Sequence, residues 1–264
     1  MAVPRQTRRI FLSENPQGHI TKSTFGSETA NLPTPTPDQV IVRTDYLSLD
    51  PAMRVWLNDD VTYVPPVRVG ETMRGAGVGT VVHGNNQIKT GDVVYGVLGW
   101  AEYIIASAQS LRVLHPSEGF TALDYLGPLG TTGMTAYFGL FEVGKLKAGE
   151  TLVVSAAAGG VGSLVCQIGK IKGAKVIAIA SVIPKESRIT PLLLLSEPRF
   201  EGFVVYDYKG RYGEAESNMT KWIREDGLKY QYQVESGLEQ CPQYFELLFS
   251  GGNTGKLVVK VSKD

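Results

Sequence analysis

Short runs of apolar residues, several of them alternating with polar ones, fill the first part of the chain, and glycine, proline or asparagine stops each. They cover residues 8–13, 39–49, 78–83, 92–97, 101–106 and 111–115, with breakers at 33–38, 84–86 and 90–92. Apolar runs of this length, thus punctuated, predict many short strands and a small, partly open β-barrel. Past residue 122 the pattern changes. Residues 127–133 read as a loop, 134–143 as a helix and 145–149 as a charged turn. An apolar run at 151–155, a small-residue turn at 157–162, an amphipathic stretch and a second apolar run at 175–180 follow. Then come a polar patch marked by proline (181–191), a leucine run (192–195), a strand pattern (201–208) and a helix pattern (214–226). The tail reads strand 229–234, helix 241–249, loop 250–255 and strand 256–262. One unit is expected from 1–120 completed by 228–264, with 121–227 between as a second.

Strand, glycine turn, helix and strand at 151–180 form the βαβ unit that holds a dinucleotide pyrophosphate. The usual glycine spacing falls on Ala157, Gly159 and Gly162, with alanine where the first glycine normally stands. Gly159 lets the backbone approach the phosphates, and Gly162 lets the helix pack closely on the strand. Open N–H groups and the positive helix end at Gly160, Val161 and Gly162 favour an anion. The flanking strands and helix make this far more specific than glycines alone. A tight turn with no ligand is the alternative. The second strand ends on Ala180-Ser181, and Glu186 lies only beyond a proline. An acid at that strand end binds the ribose of NAD, so its lack favours NADP.

Composition narrows the function further. Lys+Arg and Asp+Glu both number 26, so no basic field exists to draw nucleic acid or an anionic membrane surface. No apolar run approaches the ~18 residues of a membrane span. The start, MAVPRQTRRI, lacks the apolar stretch of a secretory signal. Two cysteines, Cys166 and Cys241, cannot build a disulfide framework or a structural zinc site. A cytoplasmic location is expected. One number is awkward: a doubly wound domain needs about six strands at roughly 25–30 residues per βα unit. Residues 151–208 hold room for about three of these. The sheet lacks its middle.

Several passages together resemble the medium-chain dehydrogenase/reductase superfamily, in its zinc-independent alkenal/prostaglandin-reductase branch. Residues 46–54, YLSLDPAMR, are similar to the branch's LS-x-DP-x-MR segment. Residues 129–140, LGTTGMTAYFGL, with Lys147–Thr151 and the alanine–glycine turn, resemble its domain junction. Residues 201–206 and the tail GNTGK resemble its late strand and C-terminal cofactor loop. The resemblance implies an α/β protein: a GroES-like partly open barrel plus a shortened, doubly wound Rossmann-type domain. It also implies NADPH-dependent reduction of the carbon–carbon double bond of α,β-unsaturated aldehydes or ketones. By that resemblance the pyrophosphate lies on Ala158, Gly159, Gly160 and Val161. Phe203, Val204 and Val205 flank the nicotinamide, Asn253 reaches it from the tail, and Pro51 and Ala52 line the cleft. Many relatives carry tyrosine where Ala52 stands, so the pocket wall here is expected to be more open. About 80 residues are missing between 181 and 199 by the same unit count, and with them the family's lysine for the 2′-phosphate. Lys185 and Arg188 lie near that junction, where solvated loop charges are the plainer reading.

The zinc relatives' ligand positions are unfilled, and His19, His83 and His115 are scattered singly at strand ends. No metal is expected, so hydrogen bonds must stabilise the enolate that follows hydride addition at the β-carbon. The candidate donors are the cofactor's ribose hydroxyl and a tyrosine. Tyr63, in the loop after the DP-x-MR segment, is the preferred protein donor; a loop aromatic capping the cleft is the alternative. Tyr46 and Tyr137 read as core aromatics, Cys166 as helix packing and Arg54 as a structural pair with an acid such as Asp50. The gap after Ala180 leaves bare strand edges at 175–180 and 203–208, which could pair with each other or self-associate, and a homodimer is expected. Two other readings stay open: a shortened, non-enzymatic remnant, and a trans-acting enoyl reductase of polyketide synthesis.

Overall fold

A computed structural model describes residues 3–58, 62–180 and 201–262. In chain order its strands are β1 (Gln6–Leu12), β2 (Phe25–Asn31), β3 (Gln39–Ser48), β4 (Ala76–His83), β5 (Val93–Val97), β6 (Tyr103–Ser107) and β7 (Arg112–Val113). Then follow β8 (Thr151–Val154), β9 (Lys175–Ala178), β10 (Tyr232–Ser236) and β11 (Lys256–Lys260). The α-helices are α1 (Thr131–Phe138), α2 (Gly160–Ile171), α3 (Tyr212–Glu225) and α4 (Cys241–Ser250). The chain divides into two compact units. One holds the sequence up to Leu126, Tyr232–Asn253 and everything from Leu257 onward; the other holds Gly127–Gln231 and Thr254–Lys256. The expectation gave all of 228–264 to the first unit. Residues 228–231 and Thr254–Lys256 instead go with the second, and 121–126 with the first. Gly255 N–H donates to the Ala158 carbonyl and Lys256 N–H to the Gln231 carbonyl, both at 2.8 Å, which ties Thr254–Lys256 to the second unit.

The first unit is built around β3. Seven strands run in the order β10-β11-β3-β4-β5-β7, with β6 also on β3. One edge of β3 pairs antiparallel with β4. Its other edge is shared: β6 takes Gln39 to Arg43, and β11 takes Tyr46 to Ser48. A ten-residue strand can seat two partners end to end, which is how the C-terminal strand joins this sheet. A separate β1–β2 hairpin pairs from Gln6 opposite Asn31 to Leu12 opposite Phe25. The core fills with Trp100, Phe25 and Phe245; the Trp100 ring lies 5.1 Å from Phe25 and 5.8 Å edge-on from Phe245 of α4. The strand β2 has no counterpart in the sequence reading. Its residues, FGSETAN, carry one buried apolar side chain, Phe25.

In the second unit β8 and β9 pair in parallel, Thr151 opposite Lys175 through Val154 opposite Ala178, with α2 as the crossover. Gly169 lets α2 settle on this pair: a Cβ there would sit 2.7 Å from Leu152 and 3.2 Å from Val176. Helix α3 presents Ala215, Met219 and Trp222, spaced i, i+4, i+7, as its buried stripe. It is bound to α1 and the π-type turn that follows it (Gly139–Val143) by polar contacts. Tyr137 Oη donates to Glu214 at 2.6 Å, and Arg211 pairs with Glu142 and Glu214 at 2.8 and 2.9 Å.

Two expectations fail here. The strand at 201–208 does not form: residues 201–204 are irregular, and Val205–Arg211 winds as a 3-10 helix. The backbone here is spent locally instead: Asp207 N–H donates to the Val204 carbonyl at 3.0 Å as the 3-10 turn opens, and β9, with β8 on one edge, gains no second partner among the described residues. The suggested pairing of 175–180 with 203–208 fails for the same reason. The patch at 181–191 and the leucine run at 192–195 lie outside the described residues.

Candidate functional site

The turn between β8 and α2 is fixed from three sides. Ala157 N–H donates to the Ile179 carbonyl at 3.0 Å, tying the turn to the end of β9. Gly159 N–H donates to the Ala156 carbonyl at 2.9 Å, closing the turn on itself. The Ala158 carbonyl accepts from Gly255, and Gly159 bridges Gly255 in parallel. Ala156 bears the strain, with φ at 49° in the left-handed region. Helix α2 then opens at Gly160 with no side-chain cap. The Gly160 N–H faces the Gly255 carbonyl in that parallel bridge, and the N–H groups of Val161 and Gly162 find no acceptor among the described residues. Two open N–H groups and the helix dipole thus converge on one spot, which is what a pyrophosphate needs.

The glycines have different duties. A Cβ on Gly162 would collide with the Ala156 carbonyl, so this glycine lets the helix turn directly over the strand end. A Cβ on Gly160 would lie 3.3 Å from Thr132 and 3.4 Å from the Lys256 backbone, so it admits α1 and the tail. On Gly159 a Cβ meets only the Ala156 carbonyl oxygen, at 3.2 Å. Its remaining side is open space. These residues fit a bound dinucleotide phosphate. Phe203, Val204 and Val205 stand elsewhere in the unit: the Phe203 ring would be 3.3 Å from a Cβ on Gly139 and lies 6.2 Å from the Tyr208 ring. The residues flank a 3-10 turn rather than forming the strand from which they were expected to reach the nicotinamide.

In the first unit, β3 runs straight into the DP-x-MR segment. Leu49 N–H donates to the Leu257 carbonyl at 3.2 Å, and Ser48 Oγ donates to the Asp50 carboxylate. Pro51 starts a 3-10 helix, Pro51–Leu57, that buries Met53, Trp56 and Leu57. Pro51 is exposed, and Ala52 packs half-buried on the core. Arg54 donates to Asn58 Oδ1 at 2.7 Å and to the carbonyls of Gly18 and Pro16 at 2.6 and 3.3 Å. Its duty is to hold a loop; the expected acidic partner is replaced by backbone carbonyls. Tyr63 is 45% exposed, and its hydroxyl oxygen accepts from Trp56 Nε1 at 3.2 Å. Asn253 is half-buried and ends the tail segment Tyr232–Asn253. Trp56 went unnoticed in the sequence, where nothing tells a core tryptophan from one that serves a hydroxyl.

The remaining candidates read as structure. Tyr137 is buried and satisfied by Glu214 and Asn218. Burial pushes the Cys166 thiol up, and does so far more strongly for Cys241. Such thiols stay protonated and unreactive. Among the described residues no three of His, Cys, Asp and Glu come together as metal ligands.

A βαβ turn shaped for a pyrophosphate marks a dinucleotide-binding protein. Comparison sharpens the class. Residues 8–114 match the N-terminal domain of oxidoreductase family. The NADPH-dependent curcumin reductase of Escherichia coli is 32% identical over 98% of this chain and 98% of its own length. The NADP(+)-dependent 2-alkenal reductase of Nicotiana tabacum is 28% identical over the full length of both. The crystal structure of CurA in complex with NADPH from Vibrio vulnificus superposes with a TM-score of 0.86, at 28% identity, over 97% of this chain and 100% of that one. The chain belongs to the medium-chain dehydrogenase/reductase superfamily, in its zinc-independent, NADP-dependent branch. Its fold is accordingly the GroES-like domain with a Rossmann-type domain. The tobacco alignment runs over 344 positions against 264 residues here, so about 80 positions have no residue in this chain.

Proposed function

We propose that this protein reduces the carbon–carbon double bond of α,β-unsaturated aldehydes and ketones with NADPH. The observation that carries the reading is the turn at Ala158–Gly162, with the open N–H groups of Val161 and Gly162 at the helix start and a glycine at each close approach. Bound NADPH supplies the hydride. Ala158, Gly159, Gly160, Val161 and Gly162 hold the pyrophosphate, and Asn253, Pro51 and Ala52 line the reacting end. Phe203 and Val204, just before the Val205–Arg211 3-10 turn, and Val205 at its start take the nicotinamide side. As hydride adds at the β-carbon, negative charge gathers on the carbonyl oxygen. The Tyr63 hydroxyl donates a hydrogen bond to that oxygen, and a proton from water then adds at the α-carbon to restore the carbonyl. A homodimer in the cytoplasm completes the proposal. The test is loss of NADPH absorbance with a simple enone, against the corresponding saturated ketone as control. Turnover of the enone alone supports the reading, and oxidation with the saturated ketone overturns it.

One observation favours a second reading, a form that binds cofactor weakly. The described parallel sheet has two strands, and the relatives carry about 80 further positions. Titration of NADPH fluorescence separates the two: a quenched, blue-shifted signal saturating in the micromolar range speaks for the enzyme, and an unchanged spectrum for the remnant.

A further inference from the structure

We infer that Trp56 is a positioning residue that aims the Tyr63 hydroxyl, an inference resting on Tyr63 as the donor to the substrate oxygen. The indole N–H can only donate, so in the 3.2 Å contact Tyr63 Oη must be the acceptor. The tyrosine's own proton is therefore turned away from the indole. An indole above a hydroxyl sets the direction of its O–H, and a hydroxyl that accepts a hydrogen bond becomes a stronger donor in turn. The tryptophan is well held for this. Its ring is buried, and its carbonyl accepts from Val67 N–H at 2.8 Å, so the loop that carries Tyr63 returns to the same residue.

Arg74 reinforces the arrangement. Its guanidinium lies 5.6 Å from the centre of the Trp56 ring, and Nη1 donates to the Pro65 carbonyl at 2.7 Å. A cation over the indole face draws electron density from the ring and makes the N–H a better donor. The same arginine anchors the loop two residues beyond Tyr63. Trp56, Tyr63, Pro65, Val67 and Arg74 thus form one connected set within the first unit.

A double-mutant cycle tests this on the whole protein with NADPH and a simple enone. Tyr63→Phe should lower kcat by about 10²-fold, as expected for loss of a hydrogen-bond donor to the developing oxyanion. Trp56→Phe, which keeps an aromatic ring and removes the N–H, should lower kcat about tenfold with little change in KM. Arg74→Met should lower it about threefold and leaves the indole in place, so it stands in if Trp56→Phe folds poorly. In the Tyr63→Phe background neither change should lower kcat further, since the group they aim is gone. Equal losses with and without the Tyr63 hydroxyl mean plain structural damage and overturn the inference. If Tyr63→Phe alone leaves kcat unchanged, the donor reading itself fails and takes this one with it. A second readout needs no activity: in nitrogen-labelled protein the Trp56 indole N–H signal should shift in Tyr63→Phe, and an unmoved signal overturns the contact.

Discussion

At the scale of single residues, the turn after β8 separates binding from folding. Gly159 is extended, at φ −79°, and a side chain there meets one oxygen at 3.2 Å. Valine tolerates that backbone, but its methyl groups fill the space where phosphate must come. Gly159→Val should therefore abolish NADPH binding while leaving the melting temperature nearly unchanged. Gly162→Val should lose both, because its Cβ runs into the Ala156 carbonyl and pushes helix from strand. Fluorescence titration and thermal unfolding of the two variants decide this; equal melting temperatures would refute the division of labour. Ala156 gives the converse case. A left-handed alanine costs roughly 1–2 kcal/mol, so Ala156→Gly should raise stability by up to about 1 kcal/mol after glycine's extra chain entropy. The glycines were legible because their spacing is local to one turn. The strain at Ala156 was not, since an alanine among alanines carries no mark of its backbone angle.

At the scale of elements, the contact of α1 with α3 turns on a buried phenol. Burial first, then the hydrogen bond and charge of Glu214, push Tyr137 up to about 12 from an ordinary 10. The folded protein thus keeps a proton that the unfolded chain gives up. Its contribution is complete below pH 10 and declines as pH rises toward 12. Glu214 is shifted the other way: the hydrogen bonds of Tyr137 and then Arg211 hold its carboxyl below the usual range. Its contribution is present at neutral pH and lost in acid. Unfolding curves of Tyr137→Phe and the parent should accordingly converge as pH climbs through this alkaline window, and a constant difference would sink the assignment. Elements were unevenly legible for a related reason. Helix α3 shows its stripe, Ala215, Met219 and Trp222, within one stretch of sequence. The strand β2 does not, because Gly26 is there to clear the Phe11 ring across the hairpin. Residues 201–208 err in the opposite sense: an apolar run promised a strand, and its backbone winds into the Val205–Arg211 3-10 turn instead.

For the molecule as a whole, the length of the second unit matters more than any side chain. Leu152 and Val176 lie under α2, so the other face of the β8–β9 pair carries Val153 and Ile177, directly opposite one another. These two are 58% and 46% exposed. Parallel strands are almost always covered on both faces and flanked by further strands, and that shortage of strands was already legible in the spacing of the sequence. Bare apolar strands recruit other chains. The protein should therefore self-associate with rising concentration, and Val153→Thr combined with Ile177→Thr should shift it toward the monomer in light scattering. Threonine keeps the β-branched shape that suits a strand, so the pair should fold as before. The same shortage should weaken the cofactor, since about 80 positions present in the tobacco relative are missing here and the turn must work with fewer neighbours. Titrated side by side with CurA of Vibrio vulnificus, this protein should bind NADPH more weakly, with the anion turn supplying most of the affinity. The double threonine variant should retain that residual binding, because neither residue belongs to the turn. Binding as tight as that of CurA, or association unmoved by the two threonines, would show that the short sheet is closed by contacts outside β8 and β9.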